Sequence, residues 1–247
     1  MPYLKPPEAR TDWAFFLDVD GTLIAIAQTP DTVHVDATLL ELLRCLYDCS
    51  GGAVALVSGR SVADLERRLG SLQLPLSGQH GLERKDSEGK FWMHDAPPMA
   101  MSAIRKALEP VLTRHSELMF EDKGLTLALH YRQAPELASY VHRLMTDLVR
   151  EVGPHLELQT GKRVVEVKPS GRDKGTVIGE YMSEPPFRGR IPVFIGDDVS
   201  DERGFLEVNK RNGISIKVGS GRSCARFRLP DVVAVRTWLN SAVRGCS

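Results

Sequence analysis

The sequence predicts an α/β protein, with a Rossmann-like parallel-sheet core and a smaller α+β unit inserted into it. Three apolar runs, residues 14–17, 53–57 and 191–195, have the length of buried strands, and polar residues follow each of them. Apolar residues at helical spacing separate the first two runs, and this alternation favours a parallel sheet with helices on both faces. The middle of the chain changes to a helix–strand–strand–helix–strand–strand order, which indicates the insertion.

The segment between the first two strands predicts a helix, because leucines recur at helical spacing over residues 39–46. Asp36 precedes this stripe and is a suitable N-cap. After the second strand, Ser61 and Asp64 form the pattern of a capping box, which predicts the start of another helix. Residues 91–98 end in two prolines that disfavour helix just before them, so we interpret this stretch as a crossing segment.

The insertion is predicted to contain two helices and two hairpins. The pattern places the helices at residues 99–115 and 135–152, and the hairpins at residues 118–131 and 155–168. Turns that contain glycine are expected at residues 122–124 in the first hairpin and at residues 160–162 in the second. The insertion therefore has the order αββαββ.

Alternation within the hairpins predicts a sheet with two unlike faces. Leu127 and Leu129 fall on the same face as Val165 and Val167, whereas Glu166 falls on the other. The apolar face is expected to lie under the two helices. The opposite face suits a surface that covers a polar substrate.

The α/β pattern resumes after residue 171. Lys174 stands at a predicted helix start, a strand is predicted at residues 214–218, and a short helix near residues 237–243. We therefore divide the chain into a first core part, residues 1–98, an inserted unit, residues 99–170, and a second core part, residues 171–247.

The composition excludes several classes of function. Thirty-two basic residues balance 32 acidic ones, so nothing indicates nucleic acid or an acidic membrane as the main partner. No apolar run reaches transmembrane length, and the N-terminal residues contain no apolar signal segment. The four cysteines are scattered without a Cys-x-x-Cys pair. A cytoplasmic location is therefore expected.

Residues with catalytic chemistry follow all three predicted core strands. Asp18 and Asp20 follow the first strand, Ser58 the second and Asp197 the third, and Lys174 begins a helix. Ligands bind at the carboxyl edge of open parallel sheets, where these residues would meet. Neighbouring buried carboxylates are costly unless a cation or hydrogen-bond donors compensate them. The pattern suggests a Mg²⁺ site with a nucleophilic aspartate.

These residues match, in order, the four motifs of the haloacid dehalogenase-like phosphatase superfamily: residues 18–22, Ser58, Lys174 and residues 196–201. A narrower resemblance lies in the insertion. Residues 120–125, 129–132 and 165–169 resemble the cap domain of the trehalose-6-phosphate phosphatase family, and so do the core segments 78–81 and 198–202.

The resemblance implies a Mg²⁺-dependent phosphatase that hydrolyses trehalose 6-phosphate through an aspartyl-phosphate intermediate. Asp18 is the expected nucleophile, and Asp20 protonates the leaving sugar oxygen and then activates water. Ser58 and Lys174 are expected to hold the phosphoryl oxygens. The metal ligands are expected to be Asp18, the backbone carbonyl of Asp20, and Asp197.

Further residues are assigned outside this catalytic set. Asp198 and Asp201 are expected to orient the motif lysine. In the cap, Glu121, Lys123 and Glu166 match the family's positions for binding glucose hydroxyls, which charged groups can bind through strong hydrogen bonds. Four other residues fit the family pattern or are purely structural, and the sequence leaves this open: Arg60, His80, His130 and Arg132.

Simpler interpretations compete with each assignment. Asp18 and Asp20 could cap a turn, Lys174 could be exposed, and residues 197–201 could form a solvated acidic loop. The cap residues could be ordinary charges of a hairpin turn and a strand surface; Glu166 is the strand residue.

Competing functions also stay open. They are a phosphatase for another sugar phosphate, such as a sucrose or glycosyl-glycerate ester, a phosphomutase, and a catalytically silent sugar-phosphate sensor. No glycosyltransferase segment precedes the first motif, so a bifunctional synthase–phosphatase is not expected. The expected partner is a small-molecule sugar phosphate, with no nucleic acid and no membrane, and the simplest expected assembly is a monomer.

Overall fold

The computed structural model describes residues 4–26 and 35–244. The chain divides into two compact units, Met1–Trp92 with Asp173–Ser247, and Met93–Arg172. The boundaries drawn from the sequence after residues 98 and 170 stay a prediction of the domain organisation. Among the helices of the described ranges, none is both long enough and apolar enough to cross a membrane.

The strands and helices are numbered in chain order. The strands are β1 (Ala14–Leu17), β2 (Val54–Val57), β3 (Leu76–Gly78), β4 (Glu83–Lys85), β5 (Phe91–Met93), β6 (Met119–Asp122), β7 (Leu127–His130), β8 (Leu156–Gly161), β9 (Val164–Pro169), β10 (Pro192–Gly196), β11 (Ile214–Val218) and β12 (Phe227–Leu229). The helices are α1 (Ala37–Cys49), α2 (Val62–Leu69), α3 (Pro98–Arg114), α4 (Ala138–Val152), α5 (Lys174–Tyr181), α6 (Glu202–Lys210) and α7 (Val232–Val243).

The core is an eight-stranded sheet with the strand order β12-β11-β10-β1-β2-β3-β4-β5. Neighbouring strands from β12 to β3 pair in parallel, and β4 pairs antiparallel with β3. Strand β1 lies between β10 and β2, so the first predicted strand is central. The parallel-sheet core of the prediction is confirmed.

Helices cover both faces of this sheet because side chains alternate along each strand. Phe15 and Leu17 of β1 pack in a cluster with buried residues of α1, α2 and α7. Phe16 points to the other face and packs in a second cluster with residues of α5 and α6. This arrangement explains why the central strands read as continuous apolar runs instead of alternating ones.

The predicted helix caps are confirmed in part. The Asp36 carboxylate accepts the backbone N–H of Leu39 at 2.8 Å at the start of α1. At α2 the Ser61 hydroxyl accepts the backbone N–H of Asp64 at 3.2 Å. The expected return half of that capping box is wrong, because the Asp64 carboxylate binds arginine side chains instead, among them Arg60.

Several predicted boundaries are also wrong. The crossing segment at residues 91–98 contains the edge strand β5. Helix α3 begins at Pro98, within one residue of the predicted start, since proline is tolerated in the first helical turn. Helix α7 begins at Val232, five residues before the predicted position, because the Asp231 carboxylate caps it. The turn predicted at residues 160–162 lies later, because β8 continues to Gly161.

The second unit contains a four-stranded antiparallel sheet with the order β6-β7-β9-β8. Its apolar face is as predicted, since Leu127, Leu129, Val165 and Val167 pack in one cluster with Ile104 and other residues of α3 and α4. On the opposite face, one row of residues crosses all four strands in register: Glu121, Ala128, Glu166 and Gln159. The predicted αββαββ order is confirmed.

Candidate active site

Three loops meet at the carboxyl edge of the eight-stranded sheet. Asp18 follows β1, Ser58 follows β2 and Asp197 follows the last paired residues of β10. Because β1 has β2 and β10 as its two neighbours, these three residues lie on adjacent strand ends. Such an edge is the usual ligand-binding position of an open α/β sheet.

Lys174 joins this group from the first turn of α5. Its Nζ lies 2.7 Å from Asp18 Oδ1 and 2.6 Å from Asp201 Oδ1, and its side chain is 3% exposed. Burial lowers the pKa of Lys174, but the two carboxylates outweigh burial and raise that pKa above its ordinary value. The lysine therefore stays positively charged, and the interpretation as an exposed first-turn residue is wrong.

Asp201 holds both the lysine and the loop after β10. Its side chain is fully buried, and its Oδ2 accepts the backbone N–H groups of Asp197 and Asp198, each at 2.8 Å. Gly196 leaves the room for this carboxylate, since a Cβ there would lie 2.3 Å from the Cγ of Asp201. The interpretation as a solvated acidic loop is wrong for these residues.

Asp198 takes a different position from the one expected. Its side chain accepts the backbone N–H of Asp201, in a reciprocal cap of the short turn at residues 199–201. The contact with the lysine comes from Asp201. Asp198 therefore shapes the loop rather than orienting Lys174.

Three buried carboxylates form the centre of the site. One oxygen of Asp18, of Asp197 and of Asp201 lies within 4.8 Å of the other two. Burial raises the pKa of Asp18 well above its ordinary range, although Lys174 opposes this effect. When Asp18 is ionised, the three carboxylates outnumber the ammonium groups beside them, and a bound cation would compensate the excess negative charge.

The donor set fits Mg²⁺, which prefers hard oxygen ligands. Asp201 already accepts hydrogen bonds on both oxygens, which favours Asp18 and Asp197 as the direct carboxylate ligands. The Asp197 carboxylate packs against the loop of the first motif, where a Cβ on Gly21 would lie 2.2 Å from its Oδ2. The close approach explains the glycine at this position.

Asp20 follows Asp18 by two residues and is half-buried. Arg60 donates from Nε to Asp20 Oδ2 at 2.6 Å and from Nη2 to Asp20 Oδ1 at 2.7 Å. This bidentate pair fixes the plane of the carboxylate. The sequence left the role of Arg60 open, and the structure pairs it with the predicted acid and base.

The loop with Ser58 is held by a left-handed turn. Gln79 and His80 have φ values of 46° and 58°, which residues other than glycine seldom adopt. The His80 N–H donates to the carbonyl of Ser58 at 3.0 Å, and the Gln79 N–H donates to that of Arg60 at 2.8 Å. These two hydrogen bonds hold the backbone of Ser58 and of Arg60, and the left-handed turn that provides them is strained.

Lys217 is a residue of the site that the sequence analysis missed. It lies on β11 beside Gly196, it is buried, and its ammonium group donates to the backbone carbonyl of Asp197. The available signal was a charged residue inside an otherwise uncharged buried strand. A lysine buried in that position needs acceptors, and the acidic loop provides one.

The three predicted cap residues lie together on the polar face of the four-stranded sheet. Lys123 Nζ lies 3.3 Å from Glu166 Oε1 and 4.0 Å from Glu121 Oε2. The Thr126 hydroxyl donates to Glu166, and His130 Nε2 lies 2.9 Å from Glu121 Oε2. Glu166 is 4% exposed, so the interpretation as a strand surface charge is wrong.

The comparisons with known proteins agree with this geometry. A parallel-sheet core with an inserted cap places the chain in the haloacid dehalogenase-like superfamily. The family model of Trehalose-phosphatase matches residues 16–232. The chain belongs to the trehalose-phosphatase family and is a phosphoric monoester hydrolase.

Individual relatives support this assignment. The chain is 42% identical over 240 residues to trehalose-6-phosphate phosphatase of Escherichia coli (strain K12), covering 96% of this chain and 89% of the relative. It is 38% identical to a probable trehalose-phosphate phosphatase of Sinorhizobium fredii, covering 84% and 78%. The fold is similar to that of the C. albicans trehalose-6-phosphate phosphatase C-terminal domain, with a TM-score of 0.80 and 22% identity over 94% of this chain and 91% of that chain.

Proposed function

We propose that this protein is a Mg²⁺-dependent phosphatase that hydrolyses trehalose 6-phosphate to trehalose and phosphate. The observation that supports it most is the buried Lys174, which bridges Asp18 and Asp201. An aspartate beside a fixed positive charge is suited to attack a phosphoryl group, because that charge offsets the repulsion of a dianionic ester. The 42% identity to the Escherichia coli enzyme supports the substrate.

The proposed reaction has two steps. Asp18 attacks phosphorus and forms an aspartyl-phosphate, the bond to the sugar oxygen breaks, and Asp20 gives that oxygen a proton. Asp20, now ionised, then takes a proton from the water that attacks the aspartyl-phosphate, which releases phosphate and restores Asp18. Ser58 and Lys174 hold the phosphoryl oxygens throughout.

The metal would be held by Asp18, Asp197 and the backbone carbonyl of Asp20. Bound Mg²⁺ would supply positive charge to the phosphoryl oxygens. Asp201 contributes by holding the backbone of Asp197 and the ammonium group of Lys174. The net negative charge of the buried cluster supports this part of the proposal.

Substrate selection is proposed for the polar face of the cap sheet. Glu121, Lys123 and Glu166 offer two carboxylates and an ammonium group within one network, and such groups bind sugar hydroxyls through charge-assisted hydrogen bonds. A cytoplasmic location and a monomeric state complete the proposal.

The test is phosphate release from a panel of sugar phosphates, measured with Mg²⁺ and with a chelator. We expect a strong preference for trehalose 6-phosphate that disappears with the chelator. Metal-dependent release without that preference would contradict the proposed substrate but support the proposed metal-dependent phosphatase activity. Release from none of the esters would contradict the enzyme and favour a sugar-phosphate sensor, whereas transfer of the phosphoryl group to a sugar would favour a phosphomutase.

A further inference from the structure

Asp64, in the first turn of α2, binds three arginine side chains. Its carboxylate accepts from Arg60 Nη1 at 2.8 Å and from Arg68 Nε at 2.7 Å, and also from Arg67. The last two follow Asp64 by four and three residues, which is the ordinary spacing of ion pairs on a helix surface. Arg60 also stands four residues from Asp64, but it precedes the N-cap residue Ser61 and therefore lies outside the helix.

Arg60 is held between two carboxylates. Its Nε and Nη2 bind Asp20, and its Nη1 binds Asp64. Its backbone N–H donates to the Ser58 hydroxyl at 3.1 Å, and its carbonyl accepts the N–H of Gln79 at 2.8 Å. The side chain is 10% exposed. Both the backbone and the guanidinium group of Arg60 are therefore fixed, and the Nε and Nη2 groups that bind Asp20 have a defined orientation.

Asp64 stays charged under all ordinary assay conditions. Burial raises the pKa of Asp64, but hydrogen bonds from Arg68, Arg60 and Arg67 outweigh burial and lower that pKa to about 2. The carboxylate is therefore a permanent anchor for the guanidinium group, rather than one that is lost within the working pH range.

We propose that Asp64 is a positioning residue of the reaction, which acts through Arg60 to orient the carboxylate of Asp20 toward the leaving oxygen. The inference rests on the proposed function, in which Asp20 donates the proton to that oxygen. A lone aspartate on a loop can rotate about its side-chain bonds, and proton transfer requires a defined direction and distance. The guanidinium group of Arg60 restricts that rotation of Asp20, because Asp64 holds the same group. If Arg60 moved away from Asp20, its contact with Asp64 would also break.

The test is the substitution Asp64→Asn, assayed as kcat/KM with two esters. Trehalose 6-phosphate has an alkoxide leaving group that needs a proton, whereas p-nitrophenyl phosphate releases a stable phenolate without one. Since small errors in position are costly in catalysis, we expect a loss of about tenfold on the sugar ester and less than about twofold on the aryl ester. A merely structural role for Asp64 would lower both values equally.

The matched control is Glu66→Gln on the same helix. Glu66 is exposed and pairs with Lys85 at 2.6 Å, and this variant should keep both kcat/KM values. Asp64→Ser, which keeps a polar side chain in the first turn, replaces Asp64→Asn if the latter fails to fold, as judged by circular dichroism and thermal unfolding.

A double-mutant cycle tests the route through Arg60. In the background Arg60→Lys, adding Asp64→Asn should lower kcat/KM for the sugar ester by less than about twofold, because the shared contact is already lost. Unchanged activity of Asp64→Asn, equal losses on both esters, or fully additive losses would each overturn the inference. If the unsubstituted protein hydrolyses neither ester, the proposed function fails, and the inference fails with it.

Discussion

The two charged clusters of this protein are built in different ways. In the core, Lys174 and Asp18 come from segments 156 residues apart and are almost completely buried. In the cap, Lys123 and Glu166 come from two hairpins of one sheet, and Lys123 is 15% exposed. The core cluster is fixed by backbone groups as well as side chains, whereas the cap cluster consists of side chains on one face.

The comparison predicts a division between chemistry and selectivity. The core cluster contains the expected nucleophile and the lysine beside it, which every ester would require. The cap cluster contains charged groups suited to bind sugar hydroxyls, which an aryl ester lacks. We therefore expect substitutions in the core cluster to abolish turnover for all esters, and substitutions in the cap cluster to change which ester is preferred.

The largest expected effect is that of Asp18→Asn. Loss of the nucleophile should lower kcat on the order of 10⁴-fold or more for both a sugar ester and an aryl ester, while the fold stays intact. Phosphate release and circular dichroism measure the two quantities. Substantial residual turnover would contradict the covalent mechanism. It would also contradict the expectation that substitutions in the core cluster abolish turnover for all esters.

The same variant has an expected effect on stability. Burial raises the pKa of Asp18 above its unfolded value of about 4, so the metal-free fold loses stability as the pH rises from about 4 through the raised folded value. Metal-free Asp18→Asn should therefore melt at a higher temperature than the metal-free parent protein near neutral pH, and the difference should shrink toward acid. Thermal unfolding with a chelator tests this, and a lower melting temperature of the variant near neutral pH would contradict it.

A smaller and more selective effect is expected for Glu166→Ala. This change should lower kcat/KM for trehalose 6-phosphate by about tenfold to a hundredfold, because a charge-assisted contact to the sugar is lost, and should leave p-nitrophenyl phosphate nearly unchanged. Steady-state kinetics on both esters provides the measurement. Equal losses would show that Glu166 supports the fold of the cap instead of binding the sugar.

The smallest effect is expected for Arg163→Gly, in the turn between β8 and β9. Arg163 is exposed and has a φ of 66°, a conformation that glycine adopts without strain. Relief of about 1–2 kcal/mol of left-handed strain should outweigh the roughly 0.5–1 kcal/mol entropic cost of glycine. The variant should therefore gain about 0.5–1 kcal/mol in the free energy of unfolding, and its hydrolysis of p-nitrophenyl phosphate should not change. Denaturant unfolding checks the first quantity. A loss of aryl phosphatase activity would show that the chemistry depends on this turn.

The sequence predicted the central fold because long apolar runs ended in reactive residues. Asp18, Ser58 and Asp197 could be placed at one sheet edge, since parallel strands bring their carboxyl ends together. Strands β3, β4 and β12 were missed because three residues carry too little periodicity to identify a strand. Their pairing depends on neighbours in the sheet.

The partners of the site residues were harder to predict. The sequence predicted that Asp64 belongs to a capping box because its spacing from Ser61 fits that motif. In the structure its carboxylate binds Arg60 instead. The only sign of Lys217 in the sequence was a charge in a buried strand, and its acceptor lies in the loop after β10. Such contacts depend on tertiary packing, which local spacing does not encode.

The separation of Lys174 from Asp18 along the chain has an evolutionary consequence. Closing a longer loop costs little more than closing a shorter one, since each doubling of a flexible loop adds only about 0.6 kcal/mol. The segment between the two halves of the core can therefore lengthen, shorten or be exchanged while the ion pair between Asp18 and Lys174 is kept. Descendants of one catalytic core can in this way acquire new substrates by remodelling the insertion alone.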